Sequence, residues 1–177
     1  MATTNWVIDP LHSEVQFKVK HLVISTVTGT FRNFEGGATT THDDFADADV
    51  HFSLDVASVD TNQEMRDNHL KSAEFFDADT YPKIAFKSTS FKKVDDDEYA
   101  LTGELTMKGI TKPVTLKAEY GGAANDMYGN KKLGFEVTGK INRKEFGLTH
   151  NALTETGGLA LGEDIKLIAN IQLAQAA

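Results

Sequence analysis

Tyr99-Ala100-Leu101-Thr102-Gly103-Glu104-Leu105-Thr106-Met107 decides the fold class: apart from Gly103, every second position carries an apolar side chain, and the residues between are polar or small. A period of two sends successive side chains to opposite faces of an extended chain, so this run is a strand with one dry face and one wet face. Gly109 sits in a short connection after it, and Val114, Leu116, Ala118 and Tyr120 then alternate in the same way. The two runs are close enough to be a hairpin.

The pattern repeats outward from that hairpin. Upstream, Val15, Phe17 and Val19 alternate with Glu14, Gln16, Lys18 and Lys20; Val27, Gly29 and Phe31 make a second strand that ends near Phe34, with a bulge or turn expected at Gly36-Gly37. Val50, Phe52, Leu54 and Val56 make a third, and Ile84 and Phe86 open a fourth that runs to Phe91. Downstream, a loop is expected over 121–130, followed by Leu133, Phe135, Val137, Gly139 and Ile141, and finally by Ile165, Leu167, Ala169, Ile171 and Leu173. The segment 142–164 is glycine-rich, has little periodicity and resists assignment. About eight one-sided strands suit an all-β antiparallel sandwich or closed barrel, and eight strands close around space for side chains or one elongated ligand. The length of 177 residues predicts one domain, 1–177.

One stretch breaks the period. Thr61 and Glu64 have capping-box spacing, which predicts a short helix, and Met65, His69 and Leu70 give it one apolar edge. A single amphipathic helix in an all-β chain is expected to lie over an open barrel end as a lid. Gly29, Gly103 and Gly139 occupy inward positions by parity, where a filled core would use larger side chains. They read either as bends in the sheet or as space left for a ligand.

Eighteen basic residues against twenty-six acidic ones give a net charge of −8, which disfavours nucleic acid and anionic membranes at long range. Cysteine is absent, and no apolar run approaches the ~18 residues of a membrane-spanning helix. Without a basic start and an apolar stretch at its front, the sequence as written reads as cytoplasmic. Histidines at 12, 21, 42, 51, 69 and 150 show no ligand spacing, so no metal and no cofactor is expected. Asp9, His12 and Ser13 are the residue types of a hydrolytic triad, but three groups on one turn do not converge in the required geometry. They are expected to fix a turn, and no catalytic residue is assigned.

Several blocks resemble a known family in the right order: Trp6-Val7-Ile8-Asp9-Pro10-Leu11-His12-Ser13, Gly29-Thr30-Phe31, Ser58-Val59-Asp60-Thr61, Arg66-Asp67-Asn68-His69-Leu70, Phe75-Phe76-Asp77, 81–88 (YPKIAFKS), 103–109 (GELTMKG) and 143–148 (RKEFGL). The chain resembles the YceI-like family across nearly its whole length. The resemblance implies a lipocalin-like eight-stranded antiparallel barrel with a helix near its mouth, holding a polyisoprenoid or another long amphiphile such as an isoprenoid quinone or fatty-acid derivative. Many members carry a periplasmic leader, which this sequence does not show. Arg66, Asp67, His69 and Arg143 match blocks of the family without bringing a catalytic role.

On this reading the barrel wall is Phe17, Val19, Phe31, Phe52, Leu54, Phe86, Leu101, Leu105, Phe135 and Val137, with Met65 and Leu70 on the closing helix. His69 would either hydrogen-bond a ligand head group or cap the helix. The expected partner is a lipid, with no nucleic acid, no membrane span and homodimerisation left open. The alternative is a stress-response or enzymatic protein whose barrel interior is only a filled core.

Overall fold

In the computed structural model, which describes residues 3–21, 24–41, 45–148 and 161–176, the deciding run becomes β8 (Glu98–Met107) and its partner β9 (Ile110–Asn125). Tyr99, Leu101, Leu105 and Met107 are buried, and Glu104 is exposed between them. Pairing runs from Glu98↔Glu119 to Met107↔Ile110, and Lys108 and Gly109 turn the chain with φ of 53° and 75°. Two positive φ values in a two-residue turn match the twist of the flanking strands.

The other strands are β1 (Thr4–Ile8), β2 (Glu14–His21), β3 (Ser25–Phe31), β4 (Phe34–Thr40), β5 (Asp49–Asp55), β6 (Val59–Asp60), β7 (Lys83–Lys93), β10 (Lys131–Asn142) and β11 (Leu161–Gln175). Three pairs of these are single staves with a bend. β1 and β2 break at the 3-10 turn Pro10–His12, where proline offers no N–H, β3 and β4 break at Arg32-Asn33, and β5 and β6 break at the 3-10 turn Val56–Ser58. Counted this way, the described residues form an eight-stranded closed antiparallel barrel with one helix: of the sandwich and the barrel that the alternation leaves open, it is the barrel, as the family resemblance implies. The staves follow chain order, and the last closes on the first. One edge of β11 takes β10, while the other takes β2 along Leu161–Asn170 and β1 along Leu173–Gln175.

Antiparallel order sends alternate connections to opposite ends. The helix end carries Ile24 just before β3, α1 (Glu64–Lys71), the β8–β9 turn and residues 143–148 after β10. The far end carries Thr41, residues 45–48, the Asp95–Asp97 turn and the β9–β10 turn. Among the described residues no helix is long and apolar enough to cross a membrane.

Four expectations need correction. Thr61 and Glu64 form no capping box: the N-cap is Gln63, with no side-chain bond into the first turn. Asn62, with φ of 64°, turns Thr61 towards the middle of α1 instead. There Thr61 donates its N–H and its hydroxyl to Asp67 Oδ1 at 2.8 and 2.6 Å, and Arg66 donates to the Thr61 hydroxyl and carbonyl at 2.7 Å each. The expected apolar edge of α1 is also absent, since Met65 is 84% exposed and only Leu70 packs against the core. Gly36 and Gly37 cause no slip but lie in regular register between β1 and β5; a Cβ on Gly37 would stand 2.1 Å from the Trp6 carbonyl oxygen, so the glycine allows close backbone approach. The expected loop at 121–130 shrinks to a turn because β9 continues to Asn125, with a bulge between Gly134 and Phe135 absorbing the register change.

One seam of the barrel is incomplete. The β9–β10 ladder stops at Lys117↔Thr138, so towards the helix end β9 pairs only with β8 and β10 only with β11. Pro113, which cannot donate to a ladder, lies in that unpaired stretch. The 3-10 turn Arg143–Phe146 packs beside it, and so the unassigned segment 142–164 begins as a wedge. Its residues 149–160 lie outside the described ones.

Candidate functional site

Inward side chains of the closed staves do not fill the interior. A cavity of about 190 Å³ runs between the two ends, bounded by apolar side chains, with Gln16 and His51 the polar residues on its boundary. Phe45 bounds it at the far end. Its ring lies 5.0 Å from Phe135, 5.7 Å from Trp6 and 6.3 Å from Phe91 between centroids, in tilted and edge-to-face arrangements that aromatic rings favour. At the helix end the boundary is Phe76, edge-on to Phe31 at 6.0 Å, with Phe17 5.4 Å from Phe31.

Of the side chains assigned to the wall by parity, Phe17, Phe31, Phe52, Leu54, Phe86, Leu101, Leu105, Phe135 and Val137 line the cavity. Val19 does not: it sits beyond the Phe17 layer, facing Val27 and Ile165 across the sheet. Met65, His69 and Leu70 do not reach the cavity either. His69 engages the Glu74 carboxylate and meets Phe75 edge-on at 4.9 Å, so its partners belong to the segment that follows its own helix. The closing group from this stretch is Phe76, carried in by the turn after α1.

The inward glycines are not empty space. A Cβ on Gly29 would fall 2.2 Å from the Phe17 ring, one on Gly103 would fall 2.4 Å from the Lys87 carbonyl oxygen and 2.6 Å from the Phe86 ring, and one on Gly139 would fall 2.2 Å from Leu116. Neighbouring side chains lie over all three, and this corrects the expectation that the missing side chains make room for a ligand. Phe17 and Phe86 each lay a ring over a glycine on the next strand, a device that holds register in curved sheets, and Leu116 covers Gly139 with an aliphatic side chain. The cavity instead comes from strand number and closure.

Sequence reasoning missed both closing rings. Phe45 stands in a polar connection with no period to mark it, and Phe76 lies in the irregular chain after α1, outside the helical spacing of Met65, His69 and Leu70. Further lining residues such as Val15, Val50, Ile84 and Met107 were legible, since they share strand parity with those named.

Two buried polar devices frame the helix end. Arg143 is 3% exposed and donates from Nε to the Gly162 carbonyl at 2.8 Å and from Nη1 to the Leu148 carbonyl, tying the wedge to β11. Gly147, with φ of 76°, lets the chain turn back so that Leu148 N–H reaches the Arg143 carbonyl at 3.1 Å. The Thr61–Arg66–Asp67 clasp is the second. Both explain family-like blocks without invoking chemistry.

Asp9, His12 and Ser13 do fix a bend. Asp9 accepts from Leu11 N–H at 3.1 Å and contacts His12 Nδ1 at 2.9 Å, while Ser13 Oγ accepts from Gln172 N–H at 2.9 Å and so pins the β1–β2 bend to β11. The serine hydroxyl thus serves the backbone of β11. Among the described residues no cluster of His, Asp or Glu has the makings of a metal site.

A family profile described as the YceI-like domain matches residues 6–173. A UPF0312 protein of Staphylococcus aureus (strain USA300) is 40% identical over 172 residues, covering 96% of each chain, and one of Serratia proteamaculans (strain 568) is 40% identical over 161 residues, 91% of this chain and 80% of that one. Among solved structures, a Campylobacter jejuni YCEI protein is 34% identical with a TM-score of 0.76, covering 89% of this chain and 90% of that one. A polyisoprenoid binding domain from Saccharophagus degradans, 13% identical with a TM-score of 0.69 over 97% of this chain and 98% of that one, shares the fold. The sequence blocks, the closed eight-stranded meander and these matches converge, and the chain belongs to the YceI-like family.

Proposed function

We propose that the barrel binds the apolar tail of a polyisoprenoid, an isoprenoid quinone or a fatty-acid derivative, for sequestration or transport and without catalysing a reaction on it. The observation that carries this reading is the cavity of about 190 Å³ with its almost wholly apolar boundary. A barrel shaped only for stability would fill that space, because interiors otherwise pack to crystal density. Family membership and the polyisoprenoid-binding description of the Saccharophagus degradans neighbour support the same ligand class.

The size of the cavity adds a condition. An engineered cavity of ~150 Å³ holds a benzene molecule, so the space as shaped suits about one isoprene-sized group. A longer tail requires Phe45 or Phe76 to swing aside. A polar head group, which finds little to hydrogen-bond inside, stays at one end.

Native mass spectrometry of protein purified from its source tests the proposal. The expected result is a retained lipid that gives its own mass. Protein that leaves its source empty and also fails to displace a fluorescent lipid probe would return the interior to a mere core. Steady hydrolysis of acyl esters that vanishes in both Ser13→Ala and His12→Ala would overturn the non-catalytic part.

A further inference from the structure

On the outer face of the barrel, Lys18 of β2 stands directly opposite Lys166 of β11, and Lys166 stands directly opposite Lys140 of β10. Side chains so placed have Cβ atoms ~5 Å apart, and like charges in that relation destabilise a sheet. Lys20 stands two residues further along β2 on the same face. Among the described residues none of the four lysines forms an ion pair, whereas Lys117 bridges Glu98 and Glu119, and Lys144 holds Glu163. One carboxylate, Asp164, stands beside the row, two residues from Lys166 along β11 and, among the described residues, in no ion pair with it; the other acidic residues of this face lie further off. Glu14, Asn170, Glu136 and Glu119 form a neighbouring row in the same ladders, four residues nearer the far end. At ~3.4 Å per residue the two rows are about 14 Å apart. In a chain of net charge −8, four unpaired lysines gathered on one face are not a consequence of composition.

A second observation lies beside the row. Ile24, in the connection just beyond Lys20, is 89% exposed. A basic row with an exposed aliphatic side chain near its end has the two parts that a peripheral membrane contact uses, attraction to anionic head groups and a short apolar insertion.

We propose that this face, with Lys18, Lys20, Lys140 and Lys166 towards the head groups and Ile24 at the boundary, docks the barrel on an anionic lipid bilayer. An acidic protein would satisfy the charges but gives Ile24 no role. Nucleic acid would call for exposed aromatic or arginine side chains among the lysines, and this face has none. The net negative charge repels the bilayer at long range. Near 0.1 M salt, however, the screening length is ~10 Å, so the acidic row is largely screened while the lysine row touches the surface. The same face carries the upper part of β10, where the β9–β10 seam is open, and docking would bring that seam to the membrane.

The test uses the full chain and vesicles of phosphatidylcholine with or without phosphatidylglycerol, containing no isoprenoid, so that its outcome is independent of what the cavity holds. Cosedimentation at 0.1 M salt should require phosphatidylglycerol and disappear near 1 M. At about fivefold per lysine, Lys18→Gln/Lys140→Gln/Lys166→Gln should weaken partitioning by roughly a hundredfold, while Lys92→Gln/Lys93→Gln at the far end leaves it nearly unchanged. Removing like-charge neighbours should leave the unfolding midpoint of the triple variant at or above that of the parent, and single Lys166→Gln gives a check that disturbs the sheet least. Absence of phosphatidylglycerol-dependent sedimentation, equal loss in the Lys92/Lys93 variant, or binding to polyglutamate but not to vesicles would each overturn the proposal.

Discussion

The two ends of the barrel are closed by different physics. At the helix end, directional bonds hold the closure: Arg143 to two carbonyls, and Thr61 gripped between Arg66 and Asp67, with Phe76 placed by the chain that these bonds position. At the far end Phe45 rests among Trp6, Phe91 and Phe135, with Asp47 N–H donating to the Phe91 carbonyl at 2.9 Å as a backbone tie. Breaking a buried charged hydrogen bond leaves partners unsatisfied, whereas rotating a ring exchanges one set of weak contacts for another. The helix end therefore belongs to the fold, and on the proposed function the far end is the one expected to yield to a ligand.

The sharpest way to break this comparison is Arg143→Met, which removes two charge-assisted bonds and leaves the Gly162 and Leu148 carbonyls unsatisfied. A loss of about 4 kcal/mol in denaturant unfolding is expected. A loss under 1 kcal/mol would mean that the wedge is not held by its arginine. Gly103→Ala comes next, at about 2 kcal/mol, because the new Cβ meets the Lys87 backbone carbonyl, which cannot move aside cheaply. Gly29→Ala is its partner measurement. There the Cβ meets only the Phe17 ring, which can turn into the cavity, so stability should fall less and capacity for a lipid probe should fall more. The reverse order would show that the cavity does not accept displaced rings.

Phe45→Leu should cost about 1 kcal/mol, since it shrinks a side chain that already borders open space. Its larger effect should be kinetic: stopped-flow release of a bound probe should be several-fold faster than in the parent, while Phe76→Leu changes release less. The smallest effect concerns Asp9, whose carboxyl is held below its ordinary value of 3.8 chiefly by the hydrogen bond with His12, helped by Leu11 N–H and Lys132. A depressed carboxyl stabilises the fold above its ordinary value and loses that contribution as pH falls through the lowered one. The stability gap between the parent and Asp9→Asn should thus be full at neutral pH and vanish in acid. A gap that widens in acid would contradict the assignment.

The strands were legible because one-sided burial leaves its period in residues such as Tyr99, Leu101 and Leu105, whatever the rest of the fold does. Bends were less so: Trp6 and Val7 precede a break at Pro10, and nothing local says that β1 and β2 share a stave. Gly29, Gly103 and Gly139 read from parity either as bends or as space for a ligand, and the structure covers all three with Phe17, Phe86 and Leu116. Composition reports a missing side chain but not whose ring arrives to cover it. Thr61 and Glu64 satisfied a local spacing rule, yet Asn62 redirected Thr61 to Asp67, a choice made by a single positive φ that spacing does not encode. Phe45 and Phe76 lie in irregular chain, where period is silent and only three-dimensional closure gives them a place.

Because the staves follow chain order, every pairing of staves but one joins neighbours along the sequence. The exception joins the last stave to the first and brings Trp6 opposite Gln175 and Phe17 opposite Leu167. Closing so long a loop delays its own reward, so this ladder is expected to form late in folding. Until β11 arrives, the apolar face that later surrounds the cavity is an open, curved sheet with two free edges, exposed to pairing with other chains. The interval before closure is thus the aggregation-prone one, and a lipid captured then would act as a folding template rather than as cargo.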